Sequence, residues 1–310
     1  MIAKKDECTY KKVIQNADDS TDAGLESPAS SSSSTSNIRG AVPKQAFKNY
    51  NSPVPGRNAA EYNMNHKNRG MAIIFNHKYF DAEMKQEPRR GTDVDSANLD
   101  RVLKQHHFDV IQHNDFCYNQ IVRVIKRAAF ENHDNNDCIL IAILSHGNMG
   151  YICASDTKYK LADICNLLTP NNCPTLAGKP KLFFVQACQG KQMDDGCKIQ
   201  TDGDSQMGYK IPLHADFLIA YSTIPGFLSW RNPLNGSWFI QSLCLELETN
   251  GKRLDLMTLL TFVCRRVAFD FESHTNDPRK DQKKQIPCIT TMLTRIVLFS
   301  EKPKSNSKLF

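Results

Sequence analysis

Residues 181–190, KLFFVQACQG, constrain this chain more than any other stretch. Leu182, Phe183, Phe184 and Val185 make an apolar run too short for a helix and suited to a strand buried on both faces. Gln186, Ala187, Cys188, Gln189 and Gly190 follow at once. Open α/β sheets bind ligands in the crevice outside the carboxyl ends of their strands, so a cysteine and a glycine there occupy a site position. A second apolar run, 139–144, ends in the same way at Ser145-His146-Gly147. His146 and Cys188 are therefore expected to end two strands of one sheet and to face one crevice.

The rest of the chain alternates in the same manner. Strands are expected over 71–75, near 108–112, and over 138–144, 181–185 and 215–222. Helical periods place Leu99, Val102 and Leu103 on one face, with Asp93 and Asp95 near the helix start. A second helix carries Ile121, Val124, Ile125 and Ala128, and a short one covers 161–168. Helices over 238–247 and 254–269 precede a charged loop, 272–284. A long apolar run, 288–299, reads as a last strand at the sheet edge. The expected fold class is α/β: three layers, a mostly parallel central sheet and helices on both faces. Residues 1–65 are polar, with a serine run at 30–34, and are expected to be disordered. Residues 190–209 are rich in aspartate and read as an exposed linker, and 223–237 as a loop.

Composition removes several function classes. There is no apolar run of 18 residues and hence no transmembrane helix, and no apolar stretch follows the first lysines as in a signal peptide. The 11 cysteines include no C-x-x-C pair, which argues against a zinc site and a disulfide framework and for a reducing, cytoplasmic setting. A net charge of +6 from scattered lysines and arginines does not describe a nucleic-acid surface. No metal or cofactor is indicated.

Cys188 is the candidate nucleophile, since a thiol needs only a modest pKa depression or a nearby base; the bland alternative is an inert buried cysteine. His146 is the candidate acid and base. Gly147 lets its N–H approach a ligand and, with the Cys188 N–H, form an oxyanion hole. No third catalytic carboxylate is evident. Arg89, Arg90, Arg231 and Gln186 are candidates to bind a substrate carboxylate, a task suited to the planar guanidinium fork. The two tryptophans, Trp230 and Trp238, fall in a polar loop beside Arg231, and exposed aromatics there point to a peptide groove. The alternative is that both merely pin the loop.

From about Arg69 to Phe299 the chain resembles a caspase, of the insect effector kind. The blocks that carry the resemblance are RRGTDVDSANL (89–99), ILSHGNMGY (143–151), FFVQACQG (183–190), HADFLIAYSTIPGFLSWRNP (214–233), GSWFIQSLC (236–244) and KKQIPCITTML (283–293). The resemblance implies a cysteine endopeptidase that cuts after aspartate, with Cys188 as nucleophile, His146 as its partner and Gly147 in the oxyanion hole. It assigns the aspartate pocket to Arg89, not Arg90, with Gln186 and Arg231. Ser229 and Arg231 line the peptide, Trp230 and Trp238 wall the second and fourth pockets, and Asn232 meets an aspartate at the fourth position. Leu228 departs from the aromatic residue common there in effector members.

The resemblance further implies a short prodomain (1–22), a disordered segment (23–65), a large-subunit part (66–202), an inter-subunit linker (191–209) and a small-subunit part (203–310). It implies a zymogen whose cut units pair through the last strand. An upstream initiator caspase and inhibitor-of-apoptosis proteins are the implied partners besides protein substrates. Asp202-Gly203, with Ile199 before it, is the best linker cut; Asp195-Gly196 is weaker; Asp19-Ser20-Thr21-Asp22 suits the enzyme itself. A silent homologue acting as a scaffold or decoy is the alternative reading.

Overall fold

The computed structural model describes residues 58–195 and 215–302, together with the backbone of residues 20–21. The expected cut sites Asp22 and Asp202 lie outside the described residues. Along the chain the elements are β1 (Ser20–Thr21), β2 (Met71–Asn76), α1 (Thr92–Gln105), β3 (Asp109–Asn114), α2 (Tyr118–Phe130) and β4 (Ile139–Leu144). Then come β5 (Gly147–Asn148), β6 (Tyr151–Cys153), β7 (Lys158–Tyr159), α3 (Leu161–Leu167), β8 (Lys181–Gln186) and β9 (Gly190–Gln192). The remainder is β10 (Phe217–Tyr221), β11 (Gly226–Phe227), β12 (Trp230–Asn232), β13 (Gly236–Ser237), α4 (Trp238–Asn250), α5 (Leu256–Asp270) and β14 (Cys288–Thr291).

Six strands form the main sheet in the order β14-β10-β8-β4-β2-β3, all parallel except β14. Its apolar runs divide by alternation, because successive strand side chains point to opposite faces. Ala72 and Ile74, Leu140 and Ala142, and Leu182 and Phe184 share a core with Leu99, Val102, Leu243, Leu260 and Val263 of α1, α4 and α5. Ile73 and Phe75, Ile141 and Ile143, and Phe183 and Val185 pack on Ile121 and Ile125 of α2 and Ile164 of α3. This is the three-layer arrangement expected from the sequence. The chain leaves β2 for β3 on one side and returns to β4 on the other, so the order reverses at β2. Open α/β sheets carry their ligand crevice at the strand ends beside such a reversal.

Four expectations need correction. The last apolar run is not one strand: β14 stops at Thr291, and Asp216 N–H donates to the Met292 carbonyl at the end of the ladder (2.8 Å). The chain then turns onto the helical layer, where Val297 and Phe299 are buried and Ile296 exchanges main-chain bonds with Tyr62 and Ala60. Residues 58–65, expected to be disordered, are folded onto the domain. Tyr62 and Met64 are buried, and the Tyr62 hydroxyl donates to Asp216 (2.7 Å). The linker begins inside the fold, because β9 pairs with β11 and Asp194 accepts from the Lys284 N–H (2.9 Å). Finally, 223–237 is not plain loop, since it holds β11, β12 and β13.

A buried ion cluster ties the first and last parts of the described fold to the sheet. Asp137, just before β4, accepts from Arg69 Nη1 (2.8 Å) and from the His66 N–H (2.9 Å), and pairs with Lys302. Arg69 and Asp137 are both fully buried. Removing one member leaves a charge with no water to solvate it. Asp137→Ala is expected to destabilise the fold by about 3–5 kcal/mol in urea unfolding.

Candidate active site

The register of the two central strands brings the expected dyad together. Leu144 of β4 stands opposite Gln186 of β8, and the Ser145 N–H donates to the Gln186 carbonyl (3.0 Å). His146 and Cys188 each lie two residues beyond that matched pair, on strands about 4.8 Å apart. Gly147 sits where the two strand ends meet: a Cβ there would lie 2.6 Å from the Cys188 carbonyl oxygen and 3.0 Å from Ala187 Cβ. Only glycine allows the chain after His146 to pass that close to Cys188.

Backbone and rings hold His146. Its Nε2 lies 2.7 Å from the Glu87 carbonyl oxygen, and Phe80 packs against the ring at 5.1 Å between centroids. A carbonyl only accepts, so Nε2 carries the proton and Nδ1 is the acceptor nitrogen. Nδ1 is buried and has no hydrogen-bond partner among the described residues. Burial and the charge of Arg89 push the imidazole down to about 4. The Cys188 sulfur accepts from the Ser229 N–H at 3.0 Å. Burial pushes this thiol up to about 12, against the opposing pull of that N–H and of Arg89. Both groups are uncharged in this arrangement.

The carboxylate-binding candidates converge on the same crevice. Arg89 is fully buried while Arg90 is exposed. Arg89 Nη1 donates to the His77 carbonyl (2.9 Å) and to Thr92 Oγ1 (2.7 Å), which fixes it across the end of β2. Gly91, at φ +89°, lets this turn abut β12: a Cβ there would stand 2.6 Å from the Asn232 carbonyl oxygen. From the other side, Arg231 Nε donates to the Arg90 carbonyl (2.8 Å), and Gln186 Nε2 donates to Ser229 Oγ (2.8 Å). Desolvation lowers Arg89 to about 10 and Arg231 to about 9. Two buried guanidiniums, with the Arg89 charge acting on the Cys188 thiol, favour an anionic ligand.

The tryptophans are not exposed on a loop. Trp230 on β12 and Trp238 at the start of α4 are both buried, stack at 5.8 Å between centroids, and extend the stack to Phe271 at 5.4 Å. The loop around them is polar, but the two indoles turn inward into the helical-side core. Asn232 is also buried, and its Oδ1 caps the next turn by accepting from the Leu234 (2.9 Å) and Asn235 (3.1 Å) N–H groups. Leu228 is buried beside Ser229, its N–H on the Gln192 carbonyl (2.8 Å). β12 is the middle of a three-stranded sheet, β1-β12-β13.

Several contributing residues escape motif reading. The Glu87 carbonyl that orients His146 is a main-chain atom and has no residue signature. Gln285 accepts from the Trp230 N–H (2.6 Å) and donates to the Ser222 carbonyl (2.7 Å), yet lies far along the sequence. Asp95 accepts from the Ser237 N–H (2.7 Å) beneath the β12–β13 turn. The linker aspartate Asp195 pairs with Lys283, and no helix among the described residues is long and apolar enough to cross a membrane. The described residues hold no His/Cys/Asp/Glu cluster of metal-binding form.

A reversing parallel sheet with a thiol and an imidazole at adjacent strand ends defines a cysteine peptidase of the caspase class. The caspase domain family matches residues 69–298. Caspase drICE of Drosophila melanogaster is 63% identical over 261 residues, covering 82% of this chain and 77% of that protein. Caspase-7 of Gallus gallus is 45% identical over 77% of this chain and 80% of its own length. The crystal structure of Caspase-1 from Spodoptera frugiperda superposes with a TM-score of 0.75 at 50% identity, covering 81% of this chain and 98% of that one. The chain belongs to the caspase family, in its insect effector branch, and is a cysteine endopeptidase of apoptosis.

Asp95 gives this region a pH signature. Burial lifts its carboxyl to about 7, against the pull of the Ser237 N–H and of Arg89. An acid raised in the folded state stabilises the fold below its unfolded pKa of about 4 and loses that contribution as pH rises through about 7. Asparagine keeps the Oδ1 acceptor and does not titrate. Asp95→Asn is therefore expected to match wild type in urea unfolding at pH 4 and to exceed it at pH 8, by on the order of 3 kcal/mol.

Proposed function

We propose that the crevice between Arg89, His146 and Cys188 hydrolyses peptide bonds after aspartate. The observation that carries this reading is the Leu144–Gln186 register, which sets His146 and Cys188 at equal distances past one matched pair, with Arg89 in the same crevice. The thiol proton passes to His146 Nδ1 as the sulfur attacks the carbonyl carbon. The N–H groups of Gly147 and Cys188 hold the oxyanion. His146 returns the proton to the leaving amine, the C–N bond breaks, and a water then hydrolyses the thioester to free the thiol.

Arg89, Gln186 and Arg231 bind the aspartate side chain. Ser229 and Arg231 hold the peptide main chain, Trp230 and Trp238 shape the second and fourth pockets, and the Asn232 amide meets an aspartate at the fourth. The carbonyl of Glu87 fills the place of a third catalytic group by fixing the imidazole tautomer. The enzyme is made as a zymogen in the cytoplasm. An upstream initiator with an aliphatic preference cuts after Asp202, with Ile199 as the fourth residue before the cut, and the enzyme then trims itself after Asp22. Asp195, exposed but paired with Lys283, is the weaker alternative. Large and small subunits assemble as a dimer of pairs through the open edge of β14, and inhibitor-of-apoptosis proteins are expected partners.

The test is hydrolysis of a peptide library with aspartate fixed before the scissile bond. Wild type is expected to favour aspartate at the fourth position, and Cys188→Ala to be inert. Arg89→Glu is expected to lower kcat/KM after aspartate by at least about 100-fold, as for loss of a buried charge pair. Unchanged activity in Arg89→Glu would move the pocket elsewhere.

A further inference from the structure

β12 is an interior strand because β1 lies against it. Without β1 it would be an open edge, and such an edge accepts an extended peptide as an added strand. β1 runs antiparallel to β12, with Ser20 opposite Arg231 and Thr21 opposite Trp230. The Trp230 N–H is held by Gln285, so the alternation of an antiparallel ladder leaves the Arg231 main chain to face β1. Extended by one residue, the register would set Asp22 opposite Ser229. The Ser229 N–H touches the Cys188 sulfur and its Oγ touches Gln186. The direction also matters: the step from Ser20 to Thr21 follows β12 from Arg231 to Trp230, toward Ser229 and the Cys188 sulfur, as the acyl side of a substrate must.

We propose that this chain's own tail is the first occupant of its peptide groove, seated in substrate register with Asp22 level with Ser229, so that it competes with substrates in cis until it is cut. This rests on the peptidase reading above. Residues 22–57 separate β1 from the next described residue. Extended, such a segment spans on the order of 100 Å, so reach does not limit the docking. Attachment in one chain gives an effective concentration of about millimolar, at or above the usual range of KM. The cut follows the same chemistry: sulfur bonds to the Asp22 carbonyl carbon, the bond to Ala23 breaks, and the Ala23 amine takes the proton from His146.

The experiment compares linker-cut enzyme in three forms. One begins at Ala23, one carries Ala23→Pro so that the tail stays attached, and one carries Ser20→Pro with Ala23→Pro. Proline at position 20 removes a ladder N–H and unseats β1. The expected result with an aspartyl tetrapeptide is a KM at least tenfold higher for Ala23→Pro than for the truncated form, at equal kcat and independent of enzyme concentration. The double variant is expected to return to the truncated value. Equal KM in all three forms overturns the proposal, as does an effect that fades on dilution.

Hydrogen exchange gives a readout that needs no catalysis. In Cys188→Ala protein, the amides of 228–233 are expected to exchange at least tenfold more slowly in the full chain than in the chain beginning at Ala23. Equal exchange overturns the seating of the tail. Slowed exchange, with truncated enzyme inert toward aspartyl peptides, supports the seating and overturns the peptidase reading instead.

Discussion

The parallel ladder between β4 and β8 is the interaction on which the site depends. Both strands are buried along their whole length, so their register is set by packing on two faces at once. A slip of one residue would turn Phe183 and Phe184 to the wrong layers and carry Cys188 out of line with His146. Precision of catalytic placement thus comes from ordinary apolar side chains well away from the chemistry. Gly147 completes the alignment, because only a residue without Cβ tolerates the Cys188 carbonyl so near.

Around this ladder the fold spends its polar bonds on orientation. Arg89, Arg231 and Asp95 are buried charged or titratable groups, each held by main-chain or hydroxyl partners from another segment. His146 is oriented by a carbonyl and an aromatic ring, and Cys188 by one main-chain N–H. The uncharged dyad follows from burial, with the imidazole near 4 and the thiol near 12. The same exclusion of water that quiets the dyad strengthens any charge interaction with a bound carboxylate.

Much of this was legible because it follows short-range rules. Apolar runs of strand length, helical spacing at Leu99 and Ile121, and the residues after each run predict the three-layer sheet and the crevice. Other features depend on partners distant in sequence. The run from Cys288 was split by the Asp216–Met292 bond and by the pull of the core on Val297 and Phe299. The inward turn of Trp230 and Trp238 rests on mutual stacking and on Phe271, which no local polarity reveals. The Glu87 carbonyl and the seating of β1 involve backbone atoms, which carry no residue code. Burial of Tyr62 arises from Asp216 and Thr294, more than 150 positions away.

Gln285 has a mechanical consequence. Its amide clasps the Trp230 N–H with one end and the Ser222 carbonyl with the other, and it lies just before β14 at the margin of the sheet. A single side chain thereby couples the margin, the end of β10 and β12. Whatever shifts β14 along that margin acts on the acceptor that holds the Trp230 N–H, and so on β12. The rim of the sheet and the strand beside Cys188 are, in this molecule, two ends of one short lever.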